Sequence, residues 1–343
     1  MSIIGIAGTS DNEYRPLDLC ECRRYNVAWC YDGPDLVAWE DIYLNDLQNK
    51  IIQLKKEKNA LILAHYYQTM DIQEIADFVC DSYEMARRAF SAGQELLIIC
   101  GVHFMAESAK ILNPGKTVLL PVLDAGCPMA DMIVPEDVLL LRERYPDAAV
   151  VCYVNSSAAV KAVSDICCTS SSAERIVRAL PEKQIIFIPD RNLGAYIASK
   201  VLEKEFIFHE GWCPIHDCIT INDVSAAKTA HPEAQLLVHP ECRGDVLAHA
   251  DYVGSTAEII KYALDCEDDE FIIGTEYGVT EHLSMLAPAK KFYPLTNSFE
   301  CEDMKKIKLA DVLASLENKK YEIKLCGDEI EAARQSLKRM VEI

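Results

Sequence analysis

Cys127, Cys213 and Cys301 stand 86 and 88 residues apart, and each closes a stretch of chain that repeats the other two. Thiolates are ligands for soft metals and iron–sulfur clusters. Free cysteine is also among the most buried residue types, and the chain carries fifteen. Equivalent position in three repeats is what favours ligation for these three over simple core filling.

Other reactive groups fall at the ends of apolar runs. Leu61–His65 leads into Tyr66 and Tyr67, Val150–Asn155 carries Tyr153 and Asn155, and Leu236–Glu241 ends in His239 and Glu241. His216 follows Cys213 by three residues. A lone histidine is more often a satisfied core or loop residue, but these positions favour proton transfer or ligand binding. Nine to twelve residues beyond His65, Asn155 and His239 come Asp77–Ser82, Ser164–Ser170 and Asp251–Thr256, each placing a hydroxyl just before a helix. Ser82, Ser170, Ser255 and Thr256 are therefore candidate ligands for an anion at a helix N-terminus. Capping explains them as well, because Ser255 with Glu258, Ser171 with Glu174, and Asp81 with Glu84 have capping-box spacing.

The elements that must position these groups recur in one order: strand, helix, aspartate signature, helix, and two further strands. The second strands are Leu96–Gly101, Ile185–Asp190 and Phe271–Glu276; the third are Thr117–Pro121, Phe206–His209 and Lys291–Leu295, with the cysteine a few residues on. Strands separated by helical crossovers form parallel sheets covered on both faces. The expected fold is α/β: three pseudo-threefold-related three-layer α/β/α sandwich domains with small parallel sheets. Ligands bind beyond the carboxyl ends of such strands, so cluster and active site are expected at the central junction.

The expected divisions are an N-terminal extension over 1–45, repeats over 46–135, 136–222 and 223–315, and a C-terminal strand and helix over 316–343 packed on the core. The extension holds Cys20, Cys22 and Cys30 at a spacing that matches no common zinc arrangement. Ile42–Lys58 reads as an amphipathic helix, with Leu44, Leu47, Ile51 and Leu54 on one side and Lys50, Lys55 and Lys56 largely on the other.

Lys plus Arg number 34 against 54 Asp plus Glu, a net charge of −20, which repels nucleic acid and anionic membrane surfaces. No apolar run approaches the roughly 18 residues that span a bilayer, and the opening residues do not read as a secretory signal. A cytoplasmic, reducing location is expected, with thiols serving as ligands or core fillers.

Three cysteines from distant loops, with no close pair among them, suit a structural zinc site poorly, since such sites take ligands in local pairs. A [4Fe-4S] cluster held by three thiolates leaves one iron open as a Lewis acid, which points to dehydration chemistry. A hydro-lyase acting on another small dicarboxylate, a non-enzymatic iron–sulfur sensor and a zinc-stabilised scaffold stay open on residues alone.

Ten ordered motifs narrow the choice: Ala64-His-Tyr-Tyr-Gln68, Ala76-Asp-Phe-Val-Cys-Asp-Ser82, Gly101-Val-His-Phe-Met-Ala-Glu107, Cys127-Pro-Met-Ala-Asp131, Tyr153-Val-Asn-Ser156, Pro189-Asp-Arg-Asn-Leu-Gly194, Cys213-Pro-Ile-His216, Val238-His-Pro-Glu-Cys242, Val253-Gly-Ser-Thr256 and Gly274-Thr-Glu-Tyr-Gly278. From about residue 46 to 315 the sequence resembles the quinolinate synthase family of bacterial NAD biosynthesis. The resemblance implies condensation of iminoaspartate with dihydroxyacetone phosphate to quinolinate, with loss of phosphate and two waters, on a [4Fe-4S] cluster. It implies cluster ligation by Cys127, Cys213 and Cys301, and a substrate pocket of His65, Tyr67, Ser82, Tyr153, Asn155, Ser170, His239, Ser255 and Thr256. Acid–base roles fall to Glu241 and His216, with His239 and Tyr67 also moving protons. An aspartate-oxidising partner enzyme is implied in the same way. Cys80 stands where a glycine is common in the family, and the Cys301 region lacks the neighbouring cysteines of some members.

Overall fold

The computed structural model describes residues 45–342. The expected N-terminal extension, with Cys20, Cys22 and Cys30, and the first residues of the Ile42–Lys58 helix lie outside the described residues. The helix is described over Asp46–Glu57, where Asn45 and Gln48 close a reciprocal capping box.

Twelve strands form three separate four-stranded parallel sheets, each from one continuous stretch of chain. The first comprises β1 (Ala60–His65), β2 (Phe78–Cys80), β3 (Leu96–Cys100) and β4 (Thr117–Leu119). The second comprises β5 (Ala149–Tyr153), β6 (Ile166–Cys168), β7 (Gln184–Ile188) and β8 (Glu205–Phe208). The third comprises β9 (Gln235–Val238), β10 (Tyr252–Val253), β11 (Glu270–Gly274) and β12 (Lys291–Pro294). Each has its second strand at one edge, then the first, third and fourth. Helices on both faces account for the uninterrupted apolar, fully buried character of β1, β3 and β5. The three-repeat α/β/α architecture is as the sequence pattern predicts.

One strand per sheet is additional to that pattern. β2, β6 and β10 are two or three residues long and lie inside the aspartate signatures, too short to give a readable period. The aspartates themselves act identically in the three copies. Asp77, Asp165 and Asp251 accept the backbone N–H of Ile62, Val150 and Leu236 at 2.8, 2.7 and 2.7 Å. Their own N–H groups return bonds to the carbonyls of the same residues. Each carboxylate also meets a cation: Lys55 at 2.9 Å, Arg142 at 2.8 Å and Lys228 at 2.6 Å. Lys55 is consequently buried rather than on the solvated helix face: its ammonium also donates to the Ile75 carbonyl, and the alkyl stem covers apolar surface.

Beyond helix Leu309–Asn318 the expected strand Tyr321–Leu325 is reduced to one antiparallel bridge, Glu322 to Leu119. Lys319 and Tyr321 have φ of 50° and 62°, which interrupts an extended run. Helix Gly327–Glu342 then buries Ala333, Ser336, Leu337 and Met340 against helices Ala158–Ala162 and His103–Leu112 and strand β6, clasping the first two units. No described helix is long and apolar enough to cross a membrane.

Candidate active site

The carboxyl ends of β1, β5 and β9 deliver the reactive side chains, and hydrogen bonds between units pull them together. His65 and His239 sit in the same local loop: the N–H of Tyr67 donates to His65 Nδ1 at 3.2 Å, and the N–H of Glu241 donates to His239 Nδ1 at 3.3 Å. Accepting at Nδ1 leaves the ring hydrogen on Nε2. Burial, reinforced by the neighbouring imidazoles, pushes both histidines down to about 3, although Glu241 pulls the other way. Both are neutral donors near pH 7. The His65 ring packs edge-on against Tyr67 with centroids 4.4 Å apart.

A continuous chain of hydrogen bonds links the three units. The Tyr153 hydroxyl donates to Glu241 Oε1 at 2.6 Å, and His216 Nδ1 lies 2.8 Å from Glu241 Oε2. His216 Nε2 is 3.1 Å from Thr275 Oγ1, Thr275 Oγ1 is 2.9 Å from the Tyr67 hydroxyl, and that hydroxyl is 2.9 Å from Thr256 Oγ1. Burial alone would push Glu241 up. His239, the His216 hydrogen bond and the Tyr153 hydroxyl outweigh it and hold the carboxyl down to about 2. An ionised Glu241 obliges His216 to donate from Nδ1, and with the ring hydrogen placed there Nε2 is the acceptor for Thr275. Thr275 then accepts from Tyr67, and Tyr67 from Thr256, so one carboxylate sets the direction of every hydroxyl. Burial, with the Glu241 charge, pushes the Tyr67 and Tyr153 phenols well up, so both are protonated donors.

The hydroxyls at the helix starts divide. Ser255 caps helix Thr256–Asp265 in a full capping box with Glu258, as the spacing predicts; Thr256 is its first residue and part of the chain just described. Asp81 caps helix Ser82–Ser91, with Ser82 first in it. The box of Ser171 with Glu174 does not form: Ser172 is the capping residue, and both serine hydroxyls turn to Thr169 Oγ1 at 3.0 Å. Ser82 and Ser170 are not drawn into the central chain. Asn155 sits beside Tyr153 with its Oδ1 buried and without a hydrogen-bond partner, an acceptor that a ligand donor would satisfy.

Cys127 lies in the loop after β4, Cys213 caps helix Pro214–Asp217, and Cys301 caps helix Glu302–Lys305. The three sit in one electrostatic neighbourhood, Cys127 interacting with both Cys301 and Cys213. Burial pushes Cys127 up to about 12 and Cys301 to about 11, and raises Cys213 well above the ordinary thiol range. Backbone N–H groups point at each sulfur and oppose the shift: those of Ala130 and Met129, of His216, and of Met304 and Asp303. Buried thiols that already receive amide donors lack only a positive centre to become thiolates, so this donor set fits a metal cluster. Cys213, His216 and Glu241 also lie with one donor atom each within 4.8 Å of one another. The 2.8 Å His216–Glu241 separation is a hydrogen bond, however, which occupies both groups.

Thr275, Glu276, Asp190 and Lys305 belong to the site without having been singled out in the sequence. Thr275 and Glu276 stand inside the Gly274–Gly278 motif, and Asp190 inside Pro189–Gly194. Fully buried, Asp190 accepts the Leu193 N–H at 2.8 Å and interacts with the Cys213 amide and Glu241.

A carboxylate, three imidazoles, two phenols and two threonine hydroxyls pooled from three sheets define an enzyme active site built for proton transfer on a buried small molecule. The sequence matches the quinolinate synthetase A protein family over residues 49–342. It is 51% identical over 300 residues to a quinolinate synthase of Caldicellulosiruptor saccharolyticus, covering 88% of this chain and 99% of that one. It is 49% identical over 295 residues to a quinolinate synthase of Alkaliphilus metalliredigens (86% and 97% covered), and 46% identical over 297 residues to quinolinate synthase 2 of Methanosarcina acetivorans (87% and 96%). The chain belongs to the quinolinate synthetase A protein family.

Proposed function

We propose that this enzyme condenses iminoaspartate with dihydroxyacetone phosphate to quinolinate, releasing phosphate and two waters. Family membership supports the reaction, and the directed hydrogen-bond chain from Thr256 to Glu241 is the observation that carries the mechanism. Cys127, Cys213 and Cys301 would hold a [4Fe-4S] cluster with one iron free of protein ligands. Such a cluster supplies Lewis acidity toward a departing hydroxyl.

The chain's own residues bind and move protons. Ser82, Ser170, Ser255 and Thr256 offer hydroxyls, and the helix starts offer amides, to carboxylate and phosphate groups. Asn155 Oδ1 takes a donor from substrate, while His65 and His239 present Nε2–H to its oxygens. Tyr153 holds one oxygen of Glu241, leaving the other to orient His216. His216 Nε2 draws the proton of Thr275, Thr275 draws that of Tyr67, and the Tyr67 oxygen thereby becomes a base toward substrate. Reversal of the same relay makes Tyr67 Oη a proton donor in the dehydrations.

An aspartate-oxidising enzyme is the proposed source of iminoaspartate, and a reducing cytoplasm the proposed location, in keeping with free thiols at all twelve described cysteines. The test is quinolinate formation by anaerobically reconstituted protein given both substrates. A cluster-loaded chain that forms none would overturn the proposal.

A further inference from the structure

The turn that carries Cys301 is fastened to the loop that carries Tyr67. Lys305, on the helix that Cys301 caps, donates from Nζ to the Tyr67 carbonyl at 2.6 Å. The same ammonium pairs with Glu276 Oε1 at 3.0 Å, the side chains being 12% and 0% exposed. Glu276 Oε1 in turn accepts the Cys301 N–H at 3.3 Å, and Oε2 accepts that of Gly278 at 2.7 Å. A second tie runs parallel: buried Gln68 donates to the Met304 carbonyl at 2.7 Å. The space is fully used, since a Cβ on Gly278 would lie 2.8 Å from the Tyr66 carbonyl, 2.9 Å from Glu276 Oε2 and 3.1 Å from Lys305 Nζ.

We infer that Lys305 and Glu276 are positioning residues that couple the backbone of Tyr67 to the Cys301 turn. The inference rests on the proposed roles of Tyr67 and Cys301. A buried pair serving stability alone would need no third partner; this ammonium spends its remaining donor capacity on the carbonyl of the residue whose phenol must sit 2.9 Å from two threonine hydroxyls. Its path from the Cys301 amide to the Tyr67 carbonyl contains only Glu276 and Lys305. The site's acid–base end and its thiol end are therefore linked through this ion pair, beside the Gln68–Met304 tie.

Wild-type protein is first shown to form quinolinate, which separates failure of the proposed function from failure of this inference. Lys305→Met alone strands a buried carboxylate and can prevent folding, so the decisive variant is Lys305→Met with Glu276→Gln. The amide offers one acceptor oxygen in place of two, so it keeps the Cys301 N–H and gives up that of Gly278, while the Lys305 hold on the Tyr67 carbonyl is gone and the Gln68–Met304 tie stays. The expected result is a folded variant with wild-type iron and sulfide, KM changed less than about threefold and kcat lowered about 10- to 100-fold, the scale of an ångström-level misplacement. Backbone hydrogen exchange in the peptide spanning 61–75 rises. A folded, cluster-loaded variant with kcat within about twofold of wild type overturns the inference, as does a loss of kcat that only follows loss of iron. A second measurement needs no variant: stripping iron from the wild type with a chelator speeds exchange in the same peptide, which contains no cluster ligand. Unchanged exchange there also overturns it.

Discussion

His216 Nδ1 and Glu241 Oε2 lie 2.8 Å apart, with side chains 1% and 5% exposed. The pair joins the second repeat to the third and sets the tautomer on which the relay depends. His216 is also 3.3 Å from Cys213 Sγ, so the proposed relay and a proposed cluster ligand touch at one imidazole.

Glu241→Gln can turn an N–H toward His216 Nδ1, moving the ring hydrogen to Nε2 and ending acceptance from Thr275. The expected kcat is lower by about 10²- to 10⁴-fold, with iron content retained. Steady-state quinolinate formation beside iron analysis checks this; near-normal kcat would remove Glu241 from the relay.

Thr275→Val keeps shape but removes the oxygen between His216 and Tyr67. A fall in kcat of about 10²-fold is expected with a smaller change in KM, and Thr275→Ser restores most of it. A valine variant as active as the serine variant would place the proton path elsewhere.

Cys127→Ser, Cys213→Ser and Cys301→Ser are each expected to lower cluster iron and sulfide in anaerobic preparations and to abolish activity. Cys100→Ala, in the buried core of β3, is expected to cost stability while leaving iron content intact. Full iron in any of the three serine variants removes that residue from the ligand set.

Acid destabilisation follows from His65, His239 and His282, which burial, as the first cause of each shift, pushes down to about 3. Their folded values lie below the ordinary histidine value of about 6.5, so between pH 3 and 6.5 the unfolded chain binds more protons. Stability therefore rises with pH across that window and is complete above it. Asp81, pushed up to about 6 by burial, opposes this between 3.8 and 6. The net loss from pH 7 to 5.5 is on the order of 3 kcal/mol. Urea unfolding at the two pH values measures it, and His282→Phe reduces the difference; equal midpoints would show that these histidines protonate in the fold.

The three-repeat fold was legible because β1, β5 and β9 are apolar runs that end in polar residues at matched intervals, and because the cysteines mark each repeat. The edge strands β2, β6 and β10 were not, being two or three residues long. Lys55 was placed on a polar face because helical periodicity does not reveal that Asp77 waits beneath it. His216, Glu241 and Tyr67, which the hydrogen-bond chain joins, were legible from their motifs, whereas Thr275 was not: its bond to Tyr67 spans 208 residues, and hydroxyls at strand ends commonly bond locally. Glu276 and Lys305 escaped for the same reason, since a buried ion pair leaves no spacing to read.

The clamp formed by Asp77, Asp165 and Asp251 is made wholly within each repeat, whereas the hydroxyls of Tyr67 and Tyr153 and the Glu241 carboxylate make their hydrogen bonds across repeats. Each module thus carries its own means of alignment yet none owns a complete reaction centre. A misdocked module would be chemically mute.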